Sequence, residues 1–368
     1  MPNLAFVNAE LIVQEGGLPP LVDLLASSNE GIQQQAAGAL WSLSVNAENH
    51  IKVVREGALP YLVRLLQSQN PKIQEQAAGT LRNLGVNDEN KIKIVQEGAL
   101  PHIIALMRSM QDSVLIQATG CLRNLSVHPQ NEFKIVQEGG IKPLVSLLRS
   151  PNYKVVEQAA VTLRNLSVND ANKVYFATDG AIPPLIALLR SPQLVIQEQA
   201  AVIIRNLSLT SENERSIIQE GGLPAIIALL RTNEPRLQVH AAVILRNLSV
   251  STENEMKIVQ EGSLPPLINL LRSSEAEVQE NAAGALRNLS ESDQNKVRIV
   301  QEGGLAWLVP LMRSPSVKVL EQVVMVLWNL SVNADNKLRM VEKGALPGLV
   351  ALLRSPEERI QELAVGTV

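Results

Sequence analysis

Aromatic residues are nearly missing from this chain of 368 residues, which has three each of tryptophan, tyrosine and phenylalanine. Its 46% hydrophobic content must therefore build an interior from leucine, isoleucine, valine and alanine, which suits helices packed closely in layers. A single cysteine, Cys121, excludes an intramolecular disulfide. Charge of one sign is lacking too. The net charge is −3 with signs interspersed, so bulk charge predicts neither nucleic-acid nor membrane binding. No basic run is interleaved with aromatics and no glycine-rich loop could cradle a phosphate. No stretch reaches the roughly 18 uninterrupted apolar residues of a membrane span. Met1 to Glu15 lacks the basic start and apolar run of a secretory signal, so the expected location is the cytoplasm, with the nucleus as the alternative.

Chemistry-bearing clusters are also missing. The four histidines, His50, His102, His128 and His240, are scattered without metal-ligand spacing, and Cys121 has no histidine near it in sequence. A catalytic site needs a singular, asymmetric constellation, whereas the acidic residues here recur along the whole chain. The expectation is a protein that is not an enzyme and needs no cofactor.

What the chain does have is a period. Leu81-Arg82-Asn83-Leu84 returns at Leu122, Leu163, Leu245 and Leu286, with Ile204-Arg205-Asn206-Leu207 as a near copy. The outermost copies read Leu40-Trp41-Ser42-Leu43 and Leu327-Trp328-Asn329-Leu330. Every interval is 41 residues or a multiple of it, and Gly16, Gly57, Gly98, Gly139, Gly180, Gly221, Gly262, Gly303 and Gly344 keep the same interval without an insertion. A period near 40 marks a stacked helical array. No linker interrupts it, so the expected organisation is a single domain over residues 1–368, with eight full repeats and a partial terminal one.

Each repeat reads as three helices. The first opens near Asn87, whose position holds Asn46, Asn169, Thr210, Ser251, Ser292 and Asn333 elsewhere, all good N-cap residues. The periodic glycine ends it in a sharp turn. The second helix typically opens at Leu-Pro, as at Leu59-Pro60 and Leu100-Pro101. A serine or threonine then follows in every copy, for example Ser68 and Ser150, and is expected to cap the third and longest helix. Apolar residues at 73, 77, 81 and 84 give that helix one buried face. Gly79, Gly120 and Gly284 fall inside it, at a cost of roughly 1 kcal/mol relative to alanine. Close approach of a neighbour or of a ligand would explain them. Cys121 occupies the position of Ala39, Thr80, Thr162 and Ala285, and so reads as a packed small residue.

Residue 1 is in register with Ser42 and residue 368 with Leu81. Neither end carries an obvious polar capping repeat, which solenoids normally need for solubility. Leu4, Phe6 and Val7 are expected to cover part of the first layer. Apolar surface left at the ends would allow end-to-end self-association, and a self-associating structural array is one alternative function.

The three-helix order, the glycine-proline turn and the asparagine late in the third helix resemble the armadillo repeat family over the whole chain. The wording of Asn165-Leu166-Ser167-Val168-Asn169-Asp170-Ala171-Asn172-Lys173 resembles plant, fungal and protist members, including vacuolar armadillo proteins and the repeat regions of U-box ligases. The resemblance implies an all-α fold, a right-handed α-solenoid superhelix of about nine repeats whose third helices line a concave groove. Family members bind extended protein segments there, with asparagine amides on the ligand backbone. By position that ladder is Asn83, Asn124, Asn165, Asn206, Asn247, Asn288 and Asn329, with Ser42 departing from it. An amide suits the role, since it offers donor and acceptor to a main chain that has no bonds of its own. The alternative is that these asparagines only tie adjacent helices together.

Importin-type members carry a groove tryptophan four residues before the asparagine. Here that position holds Gly38, Gly79, Gly120, Val161, Val202, Val243, Gly284 and Met325, so binding of nuclear-localisation signals is not expected. Preceding the asparagine instead are Arg82, Arg123, Arg164, Arg205, Arg246 and Arg287, which resemble the groove of β-catenin-like members that bind acidic segments. Guanidinium forks fit carboxylates well. Glu75, Glu157, Glu198, Glu280 and Glu321 lie two turns earlier on the same side and could neutralise them. Trp41 and Trp328 replace arginine at the ends, either to clamp apolar ligand side chains or to close the core.

The expected function is a protein-interaction scaffold that binds an extended, acidic peptide along this groove, with no nucleic acid and no membrane insertion. The insertion-free period and near-identical Val-Gln-Glu-Gly turns also fit an engineered or consensus-like scaffold without a native ligand, although Tyr153, Phe176 and His240 differ between copies as natural repeats do.

Overall fold

The computed structural model describes residues 10–368, and the expectation for Leu4, Phe6 and Val7 lies outside them. Every regular element among the described residues is an α-helix. The chain forms two compact units, residues 1–184 and 185–368.

The repeat that spans residues 87–127 shows how each layer arises. Its first helix, Asp88–Gln96, is capped by the Asn87 side chain, which accepts from the Asn90 N–H. Gly98 then turns the chain with φ 80°, in the left-handed region where a Cβ is costly. All nine periodic glycines share this conformation, with φ between 71° and 85°. The invariant 41-residue glycine is thus a backbone requirement. The second helix, Ala99–Leu106, follows at once and buries Leu100, Ile103 and Ile104.

The long third helices are α1 (Glu30–Leu43), α2 (Pro71–Leu84), α3 (Asp112–Leu125), α4 (Tyr153–Leu166), α5 (Leu194–Leu207), α6 (Pro235–Leu248), α7 (Ala276–Leu289), α8 (Val317–Ser331) and α9 (Glu358–Thr367). Consecutive members pack on each other from α1 to α4 in the first unit and from α5 to α9 in the second. In α2 the residues Ile73, Ala77, Leu81 and Leu84 are fully buried. Each large aliphatic among them contributes roughly 2 kcal/mol by leaving water.

The caps of the long helices differ from the sequence expectation. Asn29, Asn70 and Asn152 cap α1, α2 and α4 through their side chains. The periodic serines lie two residues earlier. Ser27, Ser68, Ser109 and Ser150 accept from the N–H two residues on, at 3.1 to 3.2 Å. A serine so placed closes a local turn and aims the chain, and the asparagine after the turn caps α1, α2 and α4, whereas Gln111 before α3 makes no side-chain cap.

A second asparagine column, in the first helices, was not singled out from the sequence. Asn49, Asn90, Asn131, Asn172, Asn213, Asn254, Asn295 and Asn336 are all buried. Asn131 donates to the Lys91 carbonyl of the preceding repeat and to the Leu125 carbonyl at the end of α3, both at 3.1 Å. Asn90 does the same to His50 and Leu84. Through these bonds Asn90 and Asn131 join one layer to the next, whereas Asn295 Nδ2 has no partner among the described residues. Cys121 is fully buried, and burial pushes its thiol up to about 12, as befits a packed small side chain.

Candidate functional site

Within each unit the residues on the polar edge of the long helices point in two directions. The asparagines reach back to the preceding repeat. Asn83 Nδ2 donates to Ser44 Oγ at 3.0 Å, Asn124 to the Arg82 carbonyl at 2.8 Å, and Asn165 to Ser126 Oγ at 3.0 Å. In the second unit Asn247 donates to Ser208 Oγ, Asn288 to the Arg246 carbonyl, and Asn329 to both Ser290 Oγ and the Arg287 carbonyl. Asn206 also has a partner. Each of the other six amides commits an N–H to the array. The Oδ1 atoms of Asn83, Asn124, Asn165, Asn247 and Asn329 accept from none of the described residues, and these five side chains are only half-buried. Asn288 departs from this, being buried with its Oδ1 held by Arg287 Nε and Nη2.

The arginines reach forward. Arg82 Nη1 donates to Gln117 Oε1 at 3.0 Å, and Arg123 Nη1 to Gln158 Oε1 at 3.3 Å. Arg205 Nη1 lies 3.3 Å from His240 Nδ1, and Arg287 Nη1 donates to Gln322 Oε1 at 3.1 Å. Arg164 also has a partner. All four named partners are uncharged side chains at one repeat position, so they hold the guanidinium without cancelling its charge. Burial, and next the charge of Arg246, push the Arg287 guanidinium below its ordinary value. Neighbouring rungs thus feel one another.

Three of the five glutamates that could have neutralised the ladder are paired with other cations. Glu75 pairs with Lys72 at 3.0 Å, Glu198 with Arg236 at 3.5 Å, and Glu321 with Arg359 at 3.9 Å. Among the described residues none of Arg82, Arg123, Arg205, Arg246 and Arg287 has a carboxylate within ion-pair distance.

The forward-reaching side chains also explain the mid-helix glycines. A Cβ on Gly120 would stand 2.8 Å from Arg82 Nε, and one on Gly284 would stand 3.0 Å from Arg246 Cδ. Trp41 and Trp328 use the same slot, lying over Gly79 and Gly366. The approach that needs glycine is a side chain from the preceding repeat. Two substitutions separate rigid from flexible neighbours. Gly284→Ala meets a movable arginine stem and is expected to be neutral or to stabilise by up to about 1 kcal/mol. Gly79→Ala puts its methyl 2.5 Å from the Trp41 ring and is expected to destabilise by about 1–3 kcal/mol despite the better helix former. Urea denaturation of the two variants reads the sign.

His240 stands where most other copies carry glutamine and one carries Asn281, in a half-buried setting. Burial, then the adjacent Arg205, lowers its pKa from 6.5 to about 4. The imidazole is therefore neutral at pH 7. The unfolded chain takes up its proton near pH 6.5 while the folded chain resists, so stability is complete above about 6.5 and falls as pH drops toward about 4. His240→Gln keeps an acceptor for Arg205 and is expected to flatten the stability profile within that window. An unchanged profile would contradict this placement.

In the second unit a cleft of about 670 Å³ opens on this face, lined by Arg205, Asn206, Leu209, Val243, Asn247, Glu277, Glu280, Asn281 and Lys318 among others. Leu209 belongs to a series that sequence reading passed over. Val45, Val86, Val127, Val168, Leu209, Val250 and Val332 follow the ladder at three residues' distance and are 58% to 75% exposed. Their 41-residue spacing was the available signal, obscured because valine is expected in a core.

The sequence profile of the armadillo/beta-catenin-like repeat matches residues 7–45, 46–86, 87–127, 128–168, 169–209, 210–250, 251–291, 292–332 and 333–368. No curated protein matches the chain. Among solved structures, an engineered protein from the Northeast Structural Genomics Consortium is 29% identical with a TM-score of 0.87, over 98% of this chain and 90% of that one. Two further engineered proteins from the same consortium are 29% and 26% identical, with TM-scores of 0.59 and 0.58, over 63% and 62% of this chain and 96% of each of theirs. With its glycine turns, three-helix layers and nine consecutive profile matches, the chain belongs to the armadillo/beta-catenin-like repeat family.

Proposed function

We propose that this chain is a protein-interaction scaffold whose long-helix face binds an extended, acidic segment of a partner protein. One observation carries the reading. Arg82, Arg123, Arg205 and Arg287 are held by neutral side chains, while three of the nearby glutamates are paired with other cations. A row of positioned guanidiniums with no carboxylate at ion-pair distance favours carboxylates. The Oδ1 atoms of Asn83, Asn124, Asn165, Asn247 and Asn329 would accept main-chain N–H groups from the same ligand. Because the 41-residue period crosses residues 184 and 185 without an insertion, the whole chain is proposed to act as one domain.

Titrating acidic and basic peptides of equal length, at two salt concentrations, tests this. Acidic peptides should bind more tightly, and less so at high salt. Equal, salt-insensitive failure of both peptides would overturn the reading.

Self-association is favoured by a separate observation. Val341, Leu346 and Val350 of the last repeat are 51%, 45% and 50% exposed, whereas Val95, Leu100 and Ile104, at the same repeat positions, are at most 8% exposed. A second copy stacked there would extend the layer packing. Light scattering that finds a strict monomer at high concentration would remove it. Similarity to engineered proteins fits a third reading, a scaffold without a native ligand, which predicts binding to neither peptide.

A further inference from the structure

The exposed aliphatic series has no local task. Val86 precedes the N-cap Asn87, where an apolar residue often packs on the first turn of the helix that follows. It stays 60% exposed, and Val168, in the same place before Asn169, is 65% exposed. Helical-type bonds hold each of them one turn beyond the ladder, Val86 N–H to the Asn83 carbonyl and Val168 N–H to the Asn165 carbonyl.

The guanidiniums lie on the opposite side of that row. Arg82 passes over Gly120 and bonds Gln117, one and two turns before Asn124 on α3, whereas Val127 comes three residues after it. Helix rise puts these levels roughly 6 to 10.5 Å before and roughly 4.5 Å after the asparagine. The face is thus a strip with a cationic margin, a central row of amide acceptors and an aliphatic margin.

We propose that the two margins read alternate side chains of one extended ligand, so that the partner segment has acidic residues alternating with aliphatic ones. This rests on the acidic-segment reading above. A strand laid along the amide row sends successive side chains to opposite sides, because its side-chain period is two. Every second residue then meets a guanidinium and the others meet Val45, Val86, Val127 and Val168 in the first unit, or Leu209, Val250 and Val332 in the second. Glu291 breaks the aliphatic margin between Val250 and Val332, so the strip is least apolar there.

Three twelve-residue peptides test the pattern: alternating Glu-Leu, alternating Glu-Ser, and a block peptide of the Glu-Leu composition. The alternating Glu-Leu peptide is expected to bind at least tenfold more tightly than the other two. In the triple variant Val86→Ser, Val127→Ser and Val168→Ser that advantage should shrink severalfold, while the Glu-Ser affinity stays unchanged. Equal affinities for all three peptides, or an advantage undiminished in the variant, would overturn the alternation and leave the acidic-segment reading standing. Binding of none would overturn both.

Discussion

Reversing four rungs of the ladder in one chain, Arg82→Glu, Arg123→Glu, Arg246→Glu and Arg287→Glu, is expected to weaken an acidic peptide by about 100-fold or more and to create affinity for a basic one. Exposed charge pairs contribute up to about 1 kcal/mol each, and a tenfold change corresponds to about 1.4 kcal/mol, so four reversals suffice. The fold should tolerate the change. Gln117, Gln158 and Gln322, which accept from Arg82, Arg123 and Arg287, can donate to a carboxylate instead. Calorimetric titration with acidic and basic peptides reads the exchange, and circular dichroism confirms the helices. Unaltered affinity for the acidic peptide would place its site elsewhere.

The second large effect concerns stability. Asn131→Ala removes both hydrogen bonds of a fully buried amide and leaves the Leu125 carbonyl with the His128 N–H alone. Each such bond contributes about 0.5–1.5 kcal/mol net, so the expected loss is about 1–3 kcal/mol. Asn124→Ala, only seven residues away in sequence, removes a single bond at a half-buried position where water can substitute. Its expected cost is below about 1 kcal/mol. Urea denaturation of both variants should show the asymmetry, and equal costs would contradict the division between a structural column and a surface ladder.

That pair of asparagines also shows what the sequence could and could not reveal. Both columns recur every 41 residues, and nothing in residue type distinguishes them. Burial does, and burial depends on which way each helix faces. The glycine turns were legible because a left-handed backbone position has few alternatives to glycine. The stacking order was legible because Ile73, Ala77, Leu81 and Leu84 share one helical face. Serine and asparagine both suit a cap, and only the turn geometry shows that Ser68 closes the bend while Asn70 caps α2. Likewise the sequence placed Arg82 on the polar edge, but its bond to Gln117 in the next repeat, and its path over Gly120, come from the packing of α2 on α3.

The most direct measurement is to photo-crosslink an acidic peptide bearing one photoreactive residue and map its attachment sites. The account predicts attachment along the long-helix face, near Arg82, Val86, Arg123 and Val127, with attachment lost in the four-arginine reversal. Attachment confined to exposed residues of the first and second helices, such as Lys93, Gln96 and Pro101, would contradict it.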